Sequence, residues 1–374
     1  MSGLRSRNRP YRPDRTYAVN VGGLVIGGGA PVAVQSMTKT RTDDVRATVR
    51  QIRVLAAAGC ELVRVAVPDA AAAQALPDIR RRSSLPLCAD IHFDHRLALA
   101  AIGAGFDKVR INPGNIGSAH KVKEVIRAAA DAGAAIRVGV NAGSLERSAL
   151  RRHRHPTPEA MCESLEKSLE PFEQLGFRAV VLSAKTTSVA DTIAVYRKLA
   201  GTFRYPLHLG LTEAGLPFEG AIRSTAALAP LLLAGIGDTI RVSLTGDPLL
   251  EVKAAWELLA ALGLRRRGPL VYACPTCGRT RVGLVRIAKQ VKAALAGCDK
   301  PIKVAVMGCV VNGPGEAREA DFGVACGKGR GAVFARGKVL KTCPEEVLVG
   351  ELLAAIAGES ARGAGARRVG GRRS

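Results

Sequence analysis

Three cysteines carry the most specific chemistry in this chain. Cys274 and Cys277 form a Cys-x-x-Cys pair within Ala273-Cys274-Pro275-Thr276-Cys277-Gly278-Arg279. Cys309 follows far downstream in Met307-Gly308-Cys309-Val310-Val311-Asn312-Gly313-Pro314-Gly315-Glu316, where a glycine-rich turn leads into a carboxylate. Thiolates grouped in this way hold a metal ion or an iron–sulfur cluster. A zinc ribbon needs a second Cys-x-x-Cys pair, and none is present. A thioredoxin-like disulfide needs no third cysteine. Cluster ligation by Cys274, Cys277 and Cys309 is therefore the reading that uses all three, and three thiolates leave one coordination position for another ligand. On spacing alone Cys298 and Cys326 are conceivable there. Cys60, Cys88, Cys162 and Cys343 read as small apolar residues.

A second set of tools is basic. Arg64, Arg110, Arg137, Lys185 and Arg241 each fall within a short β-branched run or at its end. Charges inside a fold must be paired or must meet a ligand, because an unpaired buried charge is costly. Five cations with few acids beside them call for an anion, and arginine forks suit phosphate oxygens. A phosphate or diphosphate ester is the expected substrate. Glu213 faces this set as a candidate proton donor or acceptor, with helix capping as its structural alternative. His92 and His208 also lie at run ends, where satisfied core histidines are equally at home.

These residues need a frame that brings run ends together. From Val32 to Leu262 short β-branched runs alternate with Ala/Leu/Arg segments of helical period. Strands are expected at Val32–Met37, Glu61–Val67, Leu85–Ile91, Lys108–Asn112, Ala135–Asn141, Ala179–Lys185, Leu207–Thr212 and Thr239–Leu244. Helices follow, as at Val45–Ala58, Ser118–Ala132, Pro158–Leu175 and Pro248–Leu262. Eight βα units describe a TIM-type (β/α)8 barrel, whose chemistry sits at the C-terminal strand ends. An open doubly wound sheet is disfavoured because no Gly-x-Gly-x-x-Gly turn follows the first strand. After Arg265-Arg266-Arg267-Gly268-Pro269, read as a linker, a small α/β module follows. Its strands are expected at Leu270–Ala273, Ile302–Met307, Asp321–Cys326, Ala332–Arg336 and Val339–Thr342, with helices at Val282–Leu295 and Pro344–Ala357.

The chain has 374 residues and a formal charge of +23. Much of that charge lies in the two arginine-rich ends. The expected organisation is a basic disordered tail over 1–15, the barrel over 16–264, the cluster module over 265–357 and a second basic disordered tail over 358–374. Tails of this kind touch phosphate non-specifically, and solvated tails are the preferred reading; no specific nucleic-acid partner is expected. No apolar run reaches the ~20 residues that cross a bilayer, and the N-terminus lacks the apolar core of a secretory signal. Nine cysteines without a small-domain pattern suit a reducing compartment, so a soluble cytoplasmic protein is expected.

The two cysteine motifs resemble the cluster domain of the bacterial 4-hydroxy-3-methylbut-2-enyl diphosphate synthase family. Gln35-Ser36-Met37-Thr38, Ala89-Asp90-Ile91-His92-Phe93-Asp94, Val109–Gly117, Arg137–Gly143 and Leu209–Gly215 are similar to barrel motifs of the same family. The likeness covers about residues 14–357. It implies reductive opening and dehydration of 2-C-methyl-D-erythritol 2,4-cyclodiphosphate by two electrons, a step in isoprenoid precursor synthesis. It implies a 4Fe–4S cluster on Cys274, Cys277, Cys309 and Glu316, which demotes Cys298 and Cys326. It also implies diphosphate contacts from Arg110, Arg137, Lys185, Arg241 and Ser243, with Arg64, His92 and Asn141 nearby, and acid–base work by Glu213. Reduced flavodoxin or ferredoxin would donate electrons. The family's homodimer, with the cluster domain of one subunit capping the partner's barrel, is expected too. Ala273 and Thr187 replace residues usually serine in that family. The competing reading is a zinc-stabilised nucleic-acid-binding protein that uses the tails.

Overall fold

The structure, a computed structural model, describes residues 16–145, 152–280, 282–309, 320–327 and 329–369. The N-terminal tail over 1–15 and Glu316 lie outside the described residues. The chain divides into two compact units, Met1–Arg265 and Arg266–Ser374.

The first unit is the expected barrel. Strands β3 (Ala33–Met37), β4 (Leu62–Ala66), β5 (Leu87–Asp90), β6 (Lys108–Ile111), β7 (Ala135–Asn141), β8 (Val180–Lys185), β9 (His208–Leu209) and β10 (Thr239–Ile240) form one parallel sheet ordered β8-β7-β6-β5-β4-β3-β10-β9. A parallel bridge between Leu182 and Leu207 joins its two edges and closes the cylinder. Residues facing outward, such as Val63, Val65, Val109, Ile111, Ile136, Val138 and Leu182, bury themselves against the helices. Between strands the sequence punctuates the helices clearly. Asp44 caps Val45–Ala57 by accepting from Ala47 N at 2.9 Å. Pro158, Pro217 and Pro248 open their helices at a position where no backbone donor is needed.

Three features differ from the sequence reading. First, residues 16–31, left unassigned, form a hairpin of β1 (Val19–Val21) and β2 (Leu24–Ile26) turned by Gly22 and Gly23 at φ 58° and 91°. Both turn positions need positive φ, which glycine adopts without strain. The hairpin's Val19, Val21 and Ile26 pack on Leu62, Cys88, Ala135 and Val181. That apolar plug closes the N-terminal end of the barrel, so only the C-terminal mouth can admit a ligand. Second, the runs expected to reach Thr212 and Leu244 pair regularly over two residues each. The ladder loosens at Gly210, where an added Cβ would lie 2.9 Å from Lys185 Nζ. Third, Arg265 belongs to the barrel rather than the linker. It donates to Glu61 at 2.7 and 2.8 Å and lies 4.8 Å over the Trp256 ring.

The second unit is a five-stranded mixed sheet, β11 (Leu270–Ala273), β12 (Lys303–Met307), β13 (Phe322–Cys326), β14 (Arg330–Ala335) and β15 (Lys338–Pro344) in spatial order β11-β12-β13-β14-β15. The first three strands run parallel and the last two pairings are antiparallel. Leu284, Ile287 and Val291 of helix Leu284–Ala294 and Leu348, Leu352 and Ile356 of the final helix bury against it. Pro344 ends a strand instead of opening the last helix, which runs Leu348–Val369 after a 3-10 turn. The helix thus runs past Ala357, where the sequence reading ended it, to Val369. Alanine and arginine, frequent in this segment, are strong helix formers that carry the helix onward.

Candidate active site and thiolate cluster site

The inward faces of the barrel strands carry charge where such barrels usually hold Val, Ile and Leu. Arg137 is the largest fully buried side chain among the described residues, at 1% exposure, and Lys108 is wholly buried. Arg110, Lys185, His208 and Arg241 are buried as well. Strand register places Arg110 beside Arg137 and Asp90 beside Arg110. Gly139 makes room for this layer, since a Cβ there would meet Ser183 Oγ at 2.8 Å and Arg110 Nε at 3.3 Å.

Two carboxylates answer part of this charge. Asp90 lies 3.4 Å from Arg110 Nη1, 3.8 Å from Arg64 Nε and 3.3 Å from His92 Nε2. Burial opposes ionisation of Asp90, but Arg64, His92, Arg110 and Arg137 together hold its carboxyl well below the usual range. Glu251, in the first turn of helix Pro248–Ala261, accepts from Arg241 Nε and Nη2, both at 3.1 Å. It also accepts from Ser36 Oγ at 2.9 Å and the Leu244 N–H at 3.2 Å, and meets Lys39 Nζ at 3.2 Å. Asp247 caps that helix through Leu249 N, which fixes Glu251 under Arg241. The sequence reading of Arg241 as short of acids is thus corrected: Glu251 is its partner.

The cations nevertheless outnumber these acids. Arg64, Lys108, Arg110, Arg137, Lys185 and Arg241 are six against the two buried carboxylates Asp90 and Glu251. Lys108 Nζ, Arg110 Nε, Arg137 Nε and Nη1 and His208 Nε2 are buried polar atoms with no hydrogen-bond partner among the described residues. Burial pushes the Arg137 guanidinium down to about 9, with repulsion from Arg64 and Arg110 adding to it. Lys108 falls to about 8, first through burial and then through Arg137 and Arg64. Lys185 lies well below its ordinary value, again through burial and then its arginine neighbours. His208 is held neutral mainly by burial and donates or accepts through Nδ1 at 2.6 Å from Thr239 Oγ1. An anion entering here would meet preorganised donors that have already lost their water.

At the mouth, His92 is half-exposed and bridges Asp90 and Arg110, its ring nitrogens 3.2 and 3.3 Å from Arg110 Nη1. Asn141 ends β7 beside Lys185 in register, and Ser243 follows β10. Glu213 is exposed just past β9, and its backbone stands at φ 53°. A glutamate there is strained, and such strain concentrates at functional sites. Its carboxylate makes no hydrogen bond or ion pair with the described residues. Lys108, Asp90 and Glu251 were missed as site residues. Lys108 stands two residues before Arg110 on the same strand face, so period-two alternation could have found it; nothing in the sequence links Glu251 to Arg241.

In the second unit, β11 and β12 pair with Ala273 opposite Val306. Cys274 and Cys309 therefore leave two adjacent parallel strands at the same end. The Gly308 N–H donates to Cys274 Sγ at 3.2 Å. Cys277 is exposed on the loop between them, its N–H held by Thr280 Oγ1 at 3.2 Å. Among the described residues no three His, Cys, Asp or Glu side chains already stand together as a metal site. Cys326 is buried, and burial pushes its thiol up to about 12. Cys298 lies at the opposite end of β11, its carbonyl 2.7 Å from where a Cβ on Gly268 would be. The three remaining cysteines offer soft donors with an N–H contact, a donor set suited to an iron–sulfur cluster.

Comparison with known proteins places both units in one family. Residues 16–256 match the model of the GcpE TIM-barrel domain and residues 270–358 that of the GcpE protein C-terminal domain. A relative from Thermodesulfovibrio yellowstonii is 53% identical over 342 residues, covering 91% of this chain and 98% of its own. It is named 4-hydroxy-3-methylbut-2-en-1-yl diphosphate synthase (flavodoxin). Relatives of the same name from Geobacter sulfurreducens and Geobacillus kaustophilus are each 51% identical, covering 91% of this chain and 97% and 91% of theirs. With both units matched in order and nearly the whole of each relative aligned, the chain belongs to the GcpE family.

Proposed function

We propose that this protein is a 4-hydroxy-3-methylbut-2-enyl diphosphate synthase. It reductively opens and dehydrates 2-C-methyl-D-erythritol 2,4-cyclodiphosphate with electrons delivered by a flavodoxin. The observation that carries the substrate assignment is the barrel interior, where six cations face two carboxylates and several buried donors lack any partner among the described residues.

Arg110, Arg137, Lys185 and Arg241 bind the diphosphate, with Ser243, Asn141, His92 and Arg64 around it. Burial in a plugged cylinder strengthens each contact, because charges interact more strongly away from water. Arg241 is held by Glu251 and Arg110 by Asp90, so both present a fixed face to the ligand. The carbon skeleton then lies toward the mouth, within reach of Glu213, which delivers a proton to the oxygen that leaves as water. Cys274, Cys277, Cys309 and Glu316 would hold a 4Fe–4S cluster. That cluster supplies the electrons and a Lewis-acidic iron for C–O cleavage. A homodimer in which one subunit's cluster unit closes the partner's barrel would bring both sites to one substrate and exclude water.

The zinc-stabilised nucleic-acid reading, which draws on the basic tails, finds no support in the family models or in the named relatives. No described helix is long and apolar enough to cross a membrane. Anaerobic purification with metal and sulfide analysis, followed by turnover of the cyclodiphosphate with reduced flavodoxin, tests the proposal. Iron and acid-labile sulfide with reductant-dependent product support it; zinc without iron, or no product, refutes it.

A further inference from the structure

We propose that Lys108 is a proton-coupled positioning residue: it takes up a proton from solvent as a diphosphate occupies the cationic cluster, and acts on that ligand through Arg137. The inference rests on reading the barrel as the diphosphate site.

Lys108 opens β6 and points inward two residues before Arg110, on the side nearer the hairpin plug. Its side chain is wholly buried, and Nζ has no hydrogen-bond partner among the described residues. The titratable and charged groups facing it are Cys88 on β5, Arg64 on β4, Arg137 on β7 and His208 on β9, with Arg110 on its own strand. No carboxylate is among them: Asp90 is engaged by Arg64, Arg110 and His92. An ammonium there is buried, unpaired and repelled by the arginines, so in the empty barrel Lys108 gives up its proton at lower pH than an exposed lysine, and the free amine prevails above about pH 8. A bound diphosphate reverses that balance. Its negative charge cancels the repulsion and restores the ammonium, which in turn keeps Arg137 displaced toward the ligand. Burial and the arginines place the empty-state titration at about 8 against an ordinary 10.5. If the ligand returns Lys108 to its ordinary value, binding at pH 9 takes up about 0.9 proton through this residue, and almost none at pH 6.5.

The test is calorimetric binding of inorganic diphosphate to the anaerobic holoenzyme, in buffer pairs of different ionisation heat. Wild type is compared with Lys108→Met, never charged, and Lys108→Arg, always charged. Both variants should take up about 0.9 proton fewer than wild type at pH 9 and the same number at pH 6.5. The ligand's own protons are common to all three proteins and cancel. A merely structural role would change affinity without changing the proton count, so equal counts at pH 9 overturn the proposal. Should neither variant fold, sulfate, which carries no titrating proton above pH 6, is the probe for wild type. Uptake rising with pH around a midpoint near 8 supports Lys108, because Lys185 titrates well below its ordinary value under heavier repulsion and Arg137 higher, at about 9; a midpoint near 9 belongs to Arg137 and overturns the proposal. No uptake, or a midpoint far below 8, overturns the proposal. Failure of wild type to bind diphosphate at all overturns the substrate reading as well.

Discussion

Replacing Glu213 by glycine should make the protein more stable and catalytically dead. The residue holds φ 53°, a conformation that glycine adopts freely and an L side chain does not. The left-handed penalty for an L-residue is roughly 1–2 kcal/mol. Glycine gives back part of this, roughly 0.5–1 kcal/mol, through the greater freedom of its unfolded chain. Losing the side chain removes no hydrogen bond or ion pair to the described residues, and surface changes of that kind stay within about 0.5 kcal/mol. The net expectation is a gain of about 0.5–1 kcal/mol, or ~1–4 °C in melting temperature for a unit of this size. Glu213→Ala keeps the strain and should be the less stable of the two variants. Both should lose turnover by about 10²–10⁴-fold if the carboxyl carries a proton in the reaction. Thermal unfolding of both variants and steady-state turnover with reduced flavodoxin measure the two effects together. A Glu213→Gly protein that is stabilised yet fully active refutes the acid–base role. One that is less stable than wild type refutes the strain argument.

Other perturbations separate structural charges from ligand-binding ones. Glu251→Gln strips Arg241 and Lys39 of their buried partner and should lower unfolding free energy by about 3–5 kcal/mol in denaturant titrations. Because Arg241 overcomes burial to hold Glu251 below its ordinary 4.5, its contribution is present above that pH and lost as pH falls through the folded value. The variant should therefore show a flatter stability profile below pH 4.5 than wild type, and an unchanged acid limb contradicts the pairing. Lys185→Met removes a buried cation that lacks an acid partner, so stability should hold or rise by roughly 1 kcal/mol while cyclodiphosphate affinity drops; equal affinity by calorimetry excludes it from the site. Cys274→Ser and Cys309→Ser should abolish cluster absorbance in anaerobic protein, whereas Cys298→Ser should leave it intact. Glu316→Gln should alter the cluster's spectrum, and an unchanged spectrum and rate would remove it from the ligand set.

The barrel was legible because its period is written twice, in outward Val and Leu that seek helices and in inward residues that do not. Arg64, Arg110, Arg137, Lys185 and Arg241 stood out as charges inside otherwise apolar runs. Their partners did not. Glu251 is ten residues beyond Arg241, in the first turn of a largely apolar helix, and it is the fold of the intervening loop, through Leu244 and the Asp247 cap, that sets it under the arginine. The hairpin over 19–26 was missed because three-residue strands carry too little pattern, although Gly22-Gly23 marked the turn. Gly210 looked like part of a strand until Lys185 was seen to press against it. Cys274 and Cys309 were readable as partners from chemistry alone. Their meeting at one sheet end depends on β11 and β12 pairing in parallel, which sequence spacing does not reveal. Strain at Glu213 was equally hidden, since nothing in Thr212-Glu213-Ala214 announces a positive φ.

The central claim is that a cationic barrel and a thiolate-bound cluster serve one two-electron reduction. Its most direct measurement is a single-turnover titration under strict anaerobiosis, counting reducing equivalents consumed against 4-hydroxy-3-methylbut-2-enyl diphosphate formed from the cyclodiphosphate. Two electrons consumed per product, with none formed when reductant is withheld, is the predicted result. Product without reductant, or electrons consumed without diphosphate product, would contradict it.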